Sequence, residues 1–193
     1  MLTPKVVLLS VTGVAFALAM GIALSQGDGL FRPSQVRQVA HVVVSPQPKW
    51  CKVLNVYDGD TLACDLNHNG KLEASSERVR LLSIDATEMS YSRKNTSGQN
   101  ELMAVEAKQA LEAYMNHELE LRYDTKPLDK YGRHLVFAYP VSPQGQASNT
   151  SLNEQLVVKG LARVWVLPPN HAHEATMVRL QNEAQHKKLG LWQ

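Results

Sequence analysis

Asp60, Arg80, Asp85, Glu88 and Arg133 are the side chains in this sequence whose types and spacing could do chemistry together. The three carboxylates have no cysteine and no closely spaced histidine beside them, a hard-oxygen set that suits Ca²⁺ or Mg²⁺ rather than zinc. The two guanidinium groups are planar, permanently charged forks that match paired phosphate oxygens. A phosphodiester is hydrolysed when its charge is neutralised, a water is activated and the leaving oxygen is stabilised. A divalent cation and two arginines meet the electrostatic demand, and a nearby carboxylate can orient or deprotonate the water. The plainer alternative is that Asp58-Gly59-Asp60 is only a turn and the arginines are surface salt-bridge partners.

These residues need elements to bring them together. Val79 to Glu88 reads V-R-L-L-S-I-D-A-T-E, a period-two pattern that predicts one central strand, with Arg80 on the opposite parity to Val79 and Leu81. Upstream, Val53, Leu54 and Val56 lead into the Asp58-Gly59 turn, and Leu62, Cys64 and Leu66 alternate along the return strand of a hairpin. Leu119, Leu121 and Tyr123 predict a fourth strand, and Leu135 to Tyr139 a fifth. Between them stands Asp129-Lys130-Tyr131-Gly132-Arg133. A helix is predicted with Met103, Ala107, Ala110, Leu111 and Tyr114 on one face. A second starts at Ser151, with Glu154 in capping-box position, and a third runs roughly from His173 to Lys188. Short strands with helices gathered later in the chain make an α+β arrangement, a small barrel plus helices.

The bulk charge excludes one simple account. Residues 48–193 carry 17 basic and 17 acidic side chains, so attraction for phosphate must come from local placement or a bound cation. Residues 6–24 contain no charge and follow Lys5, the layout of an export signal, with Ala23-Leu24-Ser25 resembling a cleavage site. The same stretch is nearly long enough for an uncleaved membrane anchor. The expected organisation is a signal or anchor over 1–25, a flexible linker over 26–47 and a compact domain over 48–193. The expected location is outside the cytoplasm: periplasmic, secreted or membrane-anchored.

The segments V-Y-D-G-D-T, R-V-R-L-L-S-I-D-A-T-E, D-K-Y-G-R, L-N-E-Q-L-V-V-K-G-L-A-R-V and E-A-Q-H-K-K-L-G-L-W resemble the staphylococcal nuclease (thermonuclease) family, in its order and nearly its spacing, over about residues 48–192. The resemblance implies a five-stranded OB-fold barrel with three helices. It also implies Ca²⁺-dependent hydrolysis of single- or double-stranded DNA and RNA with little sequence preference, leaving 3′-phosphate ends, by a monomer for which no protein partner is inferred. It implies Asp60, Asp85 and the Ala86 backbone carbonyl as metal ligands and Glu88 as the carboxylate near the metal-bound water. Arg80 and Arg133 would bind phosphate, with Lys130 and Tyr131 lining the nucleotide site. Two departures stand out: Thr87 replaces a usual proline, and Trp165 and Leu167 replace two tyrosines. Trp165 can stack on a base. A non-catalytic OB-fold module that binds nucleic acid at the cell envelope is the alternative.

Two features lie outside that resemblance. If Tyr57 pairs with Asp60, Cys51 lies diagonal to Cys64 on one face of the hairpin, and two cysteines in an exported chain favour a disulfide over buried thiols. The stretch between Asp60 and Arg80 is about six residues longer than the resemblance implies. It carries the start of an EF-hand-type calcium loop: Asp65, Asn67 and Asn69 by side chain, Lys71 by carbonyl, Glu73 through water. Ser76 stands where that motif wants a bidentate Glu, and Asn69-Gly70 is equally a plain turn.

Overall fold

The computed structural model describes residues 49–73, 77–87 and 98–193. The expected signal or anchor over 1–25, the expected linker over 26–47 and Glu88 lie outside these. Among the described residues no helix is long and apolar enough to cross a membrane.

Strands β1 (Trp50–Val56) and β2 (Thr61–Asp65) form the first hairpin. They pair Val53 with Cys64 but Asn55 with Ala63, so one residue is inserted near Leu54. The insertion resets the alternation, which is why Cys51 and Val53 share burial with Val56. In the turn, the Asp60 N–H donates to Asp58 Oδ1 (3.0 Å). Gly59 is there for space: a Cβ on it would stand 2.7 Å from the Cβ atoms of both Ala107 and Ala86. Strand β2 is buried along its whole length, not on alternate residues as its pattern suggests.

The predicted central strand is in fact two. Strand β3 (Arg78–Leu81) stops, Leu82 and Ser83 turn with Ser83 at φ +59°, and β4 (Ile84–Ala86) leaves in a new direction. A buried amide holds the turn. Asn153, fully buried, donates from Nδ2 to Leu82 O (2.8 Å) and Val136 O (3.1 Å), and its Oδ1 accepts Ala138 N–H (3.1 Å).

Helix α1 (Gly98–Glu112) lays Met103, Ala107 and Leu111 on the core. Strands β5 (Glu118–Leu128) and β6 (His134–Pro140) follow. Strand β6 runs parallel to β3, with Arg80 opposite Leu135, and closes a barrel in the order β1-β2-β3-β6-β5. This is a five-stranded barrel of the OB type. Helix α2 (Leu152–Val158) begins with both bonds of the capping box, Glu154 N–H to Ser151 Oγ (3.2 Å) and Ser151 N–H to Glu154 Oε2 (2.7 Å). Strand β7 (Ala162–Val164), which the sequence pattern does not announce, pairs with β4 in a separate ribbon. Helix α3 (Glu174–His186) and a 3₁₀ turn at Gly190–Trp192 complete the fold.

Candidate active site

The break in the central strand builds the site. On an unbroken strand, Arg80 and Asp85 are five residues apart and face opposite ways. The Leu82–Ser83 turn brings them to one side, where Arg80 Nη2 lies 3.5 Å from Asp85 Oδ1. Arg80 Nη1 lies 2.9 Å from Asp60 Oδ2 and also donates to Leu81 O (3.0 Å). Two carboxylates, one from the β1–β2 turn and one from β4, thus converge on one guanidinium. Asp60 is buried, whereas the Asp85 side chain is 57% exposed and open to solvent.

Asp60 accepts from Thr61 Oγ1 at Oδ1 (3.0 Å) and from Ala86 N–H at Oδ2 (3.1 Å). Burial pushes its carboxyl from 3.8 up to about 7. Arg80 and the Ala86 N–H pull the other way, and Asp58 adds to the rise. One guanidinium is therefore too little positive charge for this carboxylate. A hard divalent cation shared with the more exposed Asp85 would add to it, and carboxylate oxygens are the donors such a cation takes. Among the described residues no three His, Cys, Asp or Glu side chains gather into a metal cluster, and Glu88 lies outside them.

Arg80 and Asp85 line a cavity of about 160 Å³ together with Arg133, Asp129, Trp165 and Leu167. Asp129 organises its own turn: Oδ1 accepts from Tyr131 N–H (2.8 Å) and Arg133 N–H (3.0 Å), and Oδ2 accepts from Arg133 Nε (2.7 Å). Gly132, at φ +80°, lets the chain double back. Burial would raise the Asp129 carboxyl, but these bonds outweigh it and hold the group below its ordinary 3.8. With Nε engaged, the two Nη nitrogens of Arg133 are left for a pair of oxygens. Trp165 and Leu167, 56% and 59% exposed, form an apolar wall.

Not every predicted residue joins this group. Lys130 and Tyr131 sit at the exposed tip of the hairpin and do not line the cavity, although Lys130 Nζ and Arg133 Cζ lie 4.9 and 5.6 Å from the Tyr131 ring centroid. Ala86 meets Asp60 through its N–H. Cys51 and Cys64 are joined as a disulfide, with Cα atoms 5.4 Å apart. In the Asp65 loop both carboxylate oxygens of Asp65 accept backbone N–H groups, from Asn69 (3.0 Å) and Gly70 (2.8 Å). Glu73 takes the side-chain amides of Asn67 (3.3 Å) and Asn69 (2.8 Å). The Asn69 side-chain Oδ1 accepts Lys71 N–H (2.7 Å). Buried Glu77 closes the loop by accepting Leu66 N–H and Glu73 N–H, each at 3.1 Å. His171 is taken up by Glu174 (3.0 Å) and His173 packs on Phe137.

The sequence profile of the family described as "Staphylococcal nuclease homologue" matches residues 78–193. The chain belongs to that family. The match takes in Arg80, Asp85 and Arg133 and begins after Asp60, which the geometry above ties to Arg80. A thermonuclease of Staphylococcus intermedius is 30% identical over 188 residues, covering 94% of this chain and 96% of the relative. A thermonuclease of Staphylococcus hyicus is 29% identical over 142 residues, 73% of this chain and 74% of the relative. An uncharacterized endonuclease of Haemophilus influenzae is 28% identical over 150 residues, 77% of this chain and 68% of the relative.

Two asparagines that build the site carry no mark in the sequence. Asn153 locks the turn that aims Asp85, and Asn170, 3% exposed, lines the cavity. Neither stands in a periodic pattern or a charged motif. The available signal was Asn153 at a buried position of α2, where a polar side chain must find partners.

Proposed function

We propose that this chain is an exported, Ca²⁺-dependent nuclease that hydrolyses DNA and RNA phosphodiesters with little sequence preference and leaves 3′-phosphate ends. The observation that carries this reading is the convergence of Asp60, Asp85 and Arg80, with Arg133 on the same cavity. Family membership and the nuclease names of the relatives support it. Asp60 and Asp85 would hold the calcium, with the Ala86 carbonyl, and Glu88 would act on the attacking water. When bound, the cation neutralises phosphate charge and makes water a better nucleophile. Arg80, steadied by Asp60, offers one fork to the phosphate. Arg133, held at Nε by Asp129, offers its two Nη donors from the other side, where charge accumulates on the phosphoryl oxygens as the bond breaks. Trp165 gives an adjacent base a surface to stack on. Every contact falls on phosphate or on a ring face, which is why sequence preference should be weak. Export rests on residues 6–24, which would either be removed or remain as an anchor, and the domain would act as a monomer.

Plasmid DNA incubated with the protein in millimolar Ca²⁺, in excess EDTA, and with Asp60→Ala tests this reading. Nicking and degradation only in the wild-type calcium lane is expected. Retarded but uncut DNA in all three lanes would replace the enzyme with a binding module.

A further inference from the structure

Strand β5 leaves its partner before it reaches the catalytic hairpin. Tyr123 pairs with Val136, but the next pair is Leu128 with His134, and the residues between have slipped out of register. Pro127 has no N–H to offer, and the backbone of Lys126 has lost its strand neighbour. Asn170 takes that neighbour's place. Its Oδ1 accepts Lys126 N–H (2.7 Å) and its Nδ2 donates to Lys126 O (3.0 Å), the donor and acceptor an adjoining strand would provide. Asp124 adds a second tie, its Oδ2 accepting Ala172 N–H (2.7 Å). At 3% exposure the Asn170 amide meets little competition from water.

Both walls of the cavity depend on this contact. Beyond the bulge, Leu128 rejoins the ladder and Asp129 begins the turn that grips Arg133 by its N–H and its Nε. On the other side, Asn170 ends the segment that carries Trp165 and Leu167, and it lines the cavity itself. We propose that Asn170 is a positioning residue for the reaction: by replacing a missing strand at Lys126 it sets the distance between the Arg133 wall and the Trp165–Leu167 wall. This rests on the nuclease reading above. A guanidinium displaced by about 1 Å from the reacting phosphate would cost up to about a hundredfold in rate.

The test is a double-mutant cycle on the full chain, with Asn170→Ala, Arg133→Ala and the pair, read as kcat and KM on a labelled oligonucleotide. Calcium affinity is measured alongside by calorimetry. Asn170→Ala should lower kcat about tenfold to a hundredfold. In the Arg133→Ala background the same change should lower it less than about twofold, because the group it positions is gone. Calcium affinity should stay within about twofold, since Asp60 in the β1–β2 turn and Asp85 on β4 belong to other parts of the fold. Unchanged kcat, equal losses in both backgrounds, or lost calcium affinity would each overturn the proposal. If Asn170→Ala fails to fold, Asn170→Ser keeps a hydroxyl that can serve one of the two Lys126 backbone groups, and should show a smaller loss with the same dependence on Arg133. A wild-type rate at background would refute the nuclease reading, and the proposal with it. Wild-type turnover with an unaffected Asn170→Ala variant refutes the proposal alone.

Discussion

Replacing Asn153 with alanine should damage stability and activity together, and the size of the effect follows from three hydrogen bonds. Val136 O keeps a partner after the change, because Leu82 N–H also donates to it at 2.8 Å. Leu82 O and Ala138 N–H, which Asn153 serves at 2.8 and 3.1 Å, lose the partner identified for them among the described residues. A buried group left unpaired costs about 1–3 kcal/mol, so two cost about 2–6 kcal/mol, and water entering the vacated space brings the figure to about 3 kcal/mol. For a domain of this size that is a fall in Tm of about 6–12 °C. Urea unfolding should show a lower midpoint at unchanged slope. Turnover should fall as well, because the Leu82–Ser83 turn is what holds Asp85 3.5 Å from Arg80. Asn153→Asp should be worse: a carboxylate presents oxygen to the Leu82 and Val136 carbonyls, where the amide donated. A loss below about 1 kcal/mol, or an Asp variant as stable as wild type, would refute the reasoning.

Other consequences are as direct. Gly59→Ala places a methyl group 2.7 Å from the Cβ atoms of Ala107 and Ala86, so it should cost about 1–3 kcal/mol in urea unfolding and weaken calcium binding at the neighbouring Asp60; a silent substitution would mean the turn and helix α1 move apart freely. Asp129 is held below 3.8, so its contribution to stability is present above that value and lost as pH falls through the lowered one. Asp129→Asn should therefore be less stable than wild type at pH 7, with the gap closing as pH falls below 3.8; a pH-independent gap would deny the linkage. Replacing both Cys51 and Cys64 with alanine opens a link across 13 residues and should lower stability by about 3 kcal/mol, and reductant should then have no further effect. A wild-type melting curve indifferent to reductant would remove the disulfide from the account.

How far the sequence revealed the site depended on the kind of information each residue carries. Asp60, Arg80, Asp85 and Arg133 were readable because charges beside apolar strand patterns demand an explanation. Their mutual placement was not, because period-two reading makes Val79–Glu88 one strand and sends Arg80 and Asp85 to opposite faces. The turn that reverses this has Ser83 at φ +59°, and nothing local marks it: the buried amide that holds it is seventy-one residues away in sequence. Strand β7 escaped for a similar reason, since three residues give no period to detect. Gly59 was legible as a turn residue, but its role is close packing against Ala107 and Ala86, a long-range fact. The capping box at Ser151 and Glu154 is legible in the sequence because both partners lie within one helical turn.

Asp60, Arg80, Asp85 and Arg133 are proposed to form one calcium-dependent phosphodiesterase site. Its most direct test is the initial rate of cleavage of a dual-labelled oligonucleotide by wild type and Asp85→Asn, each with millimolar calcium and with excess chelator. Turnover by wild type in calcium, a fall to background with chelator, and a loss of at least about a hundredfold for Asp85→Asn are expected. Cleavage that persists in chelator, or an Asp85→Asn variant that cuts at the wild-type rate, would contradict it.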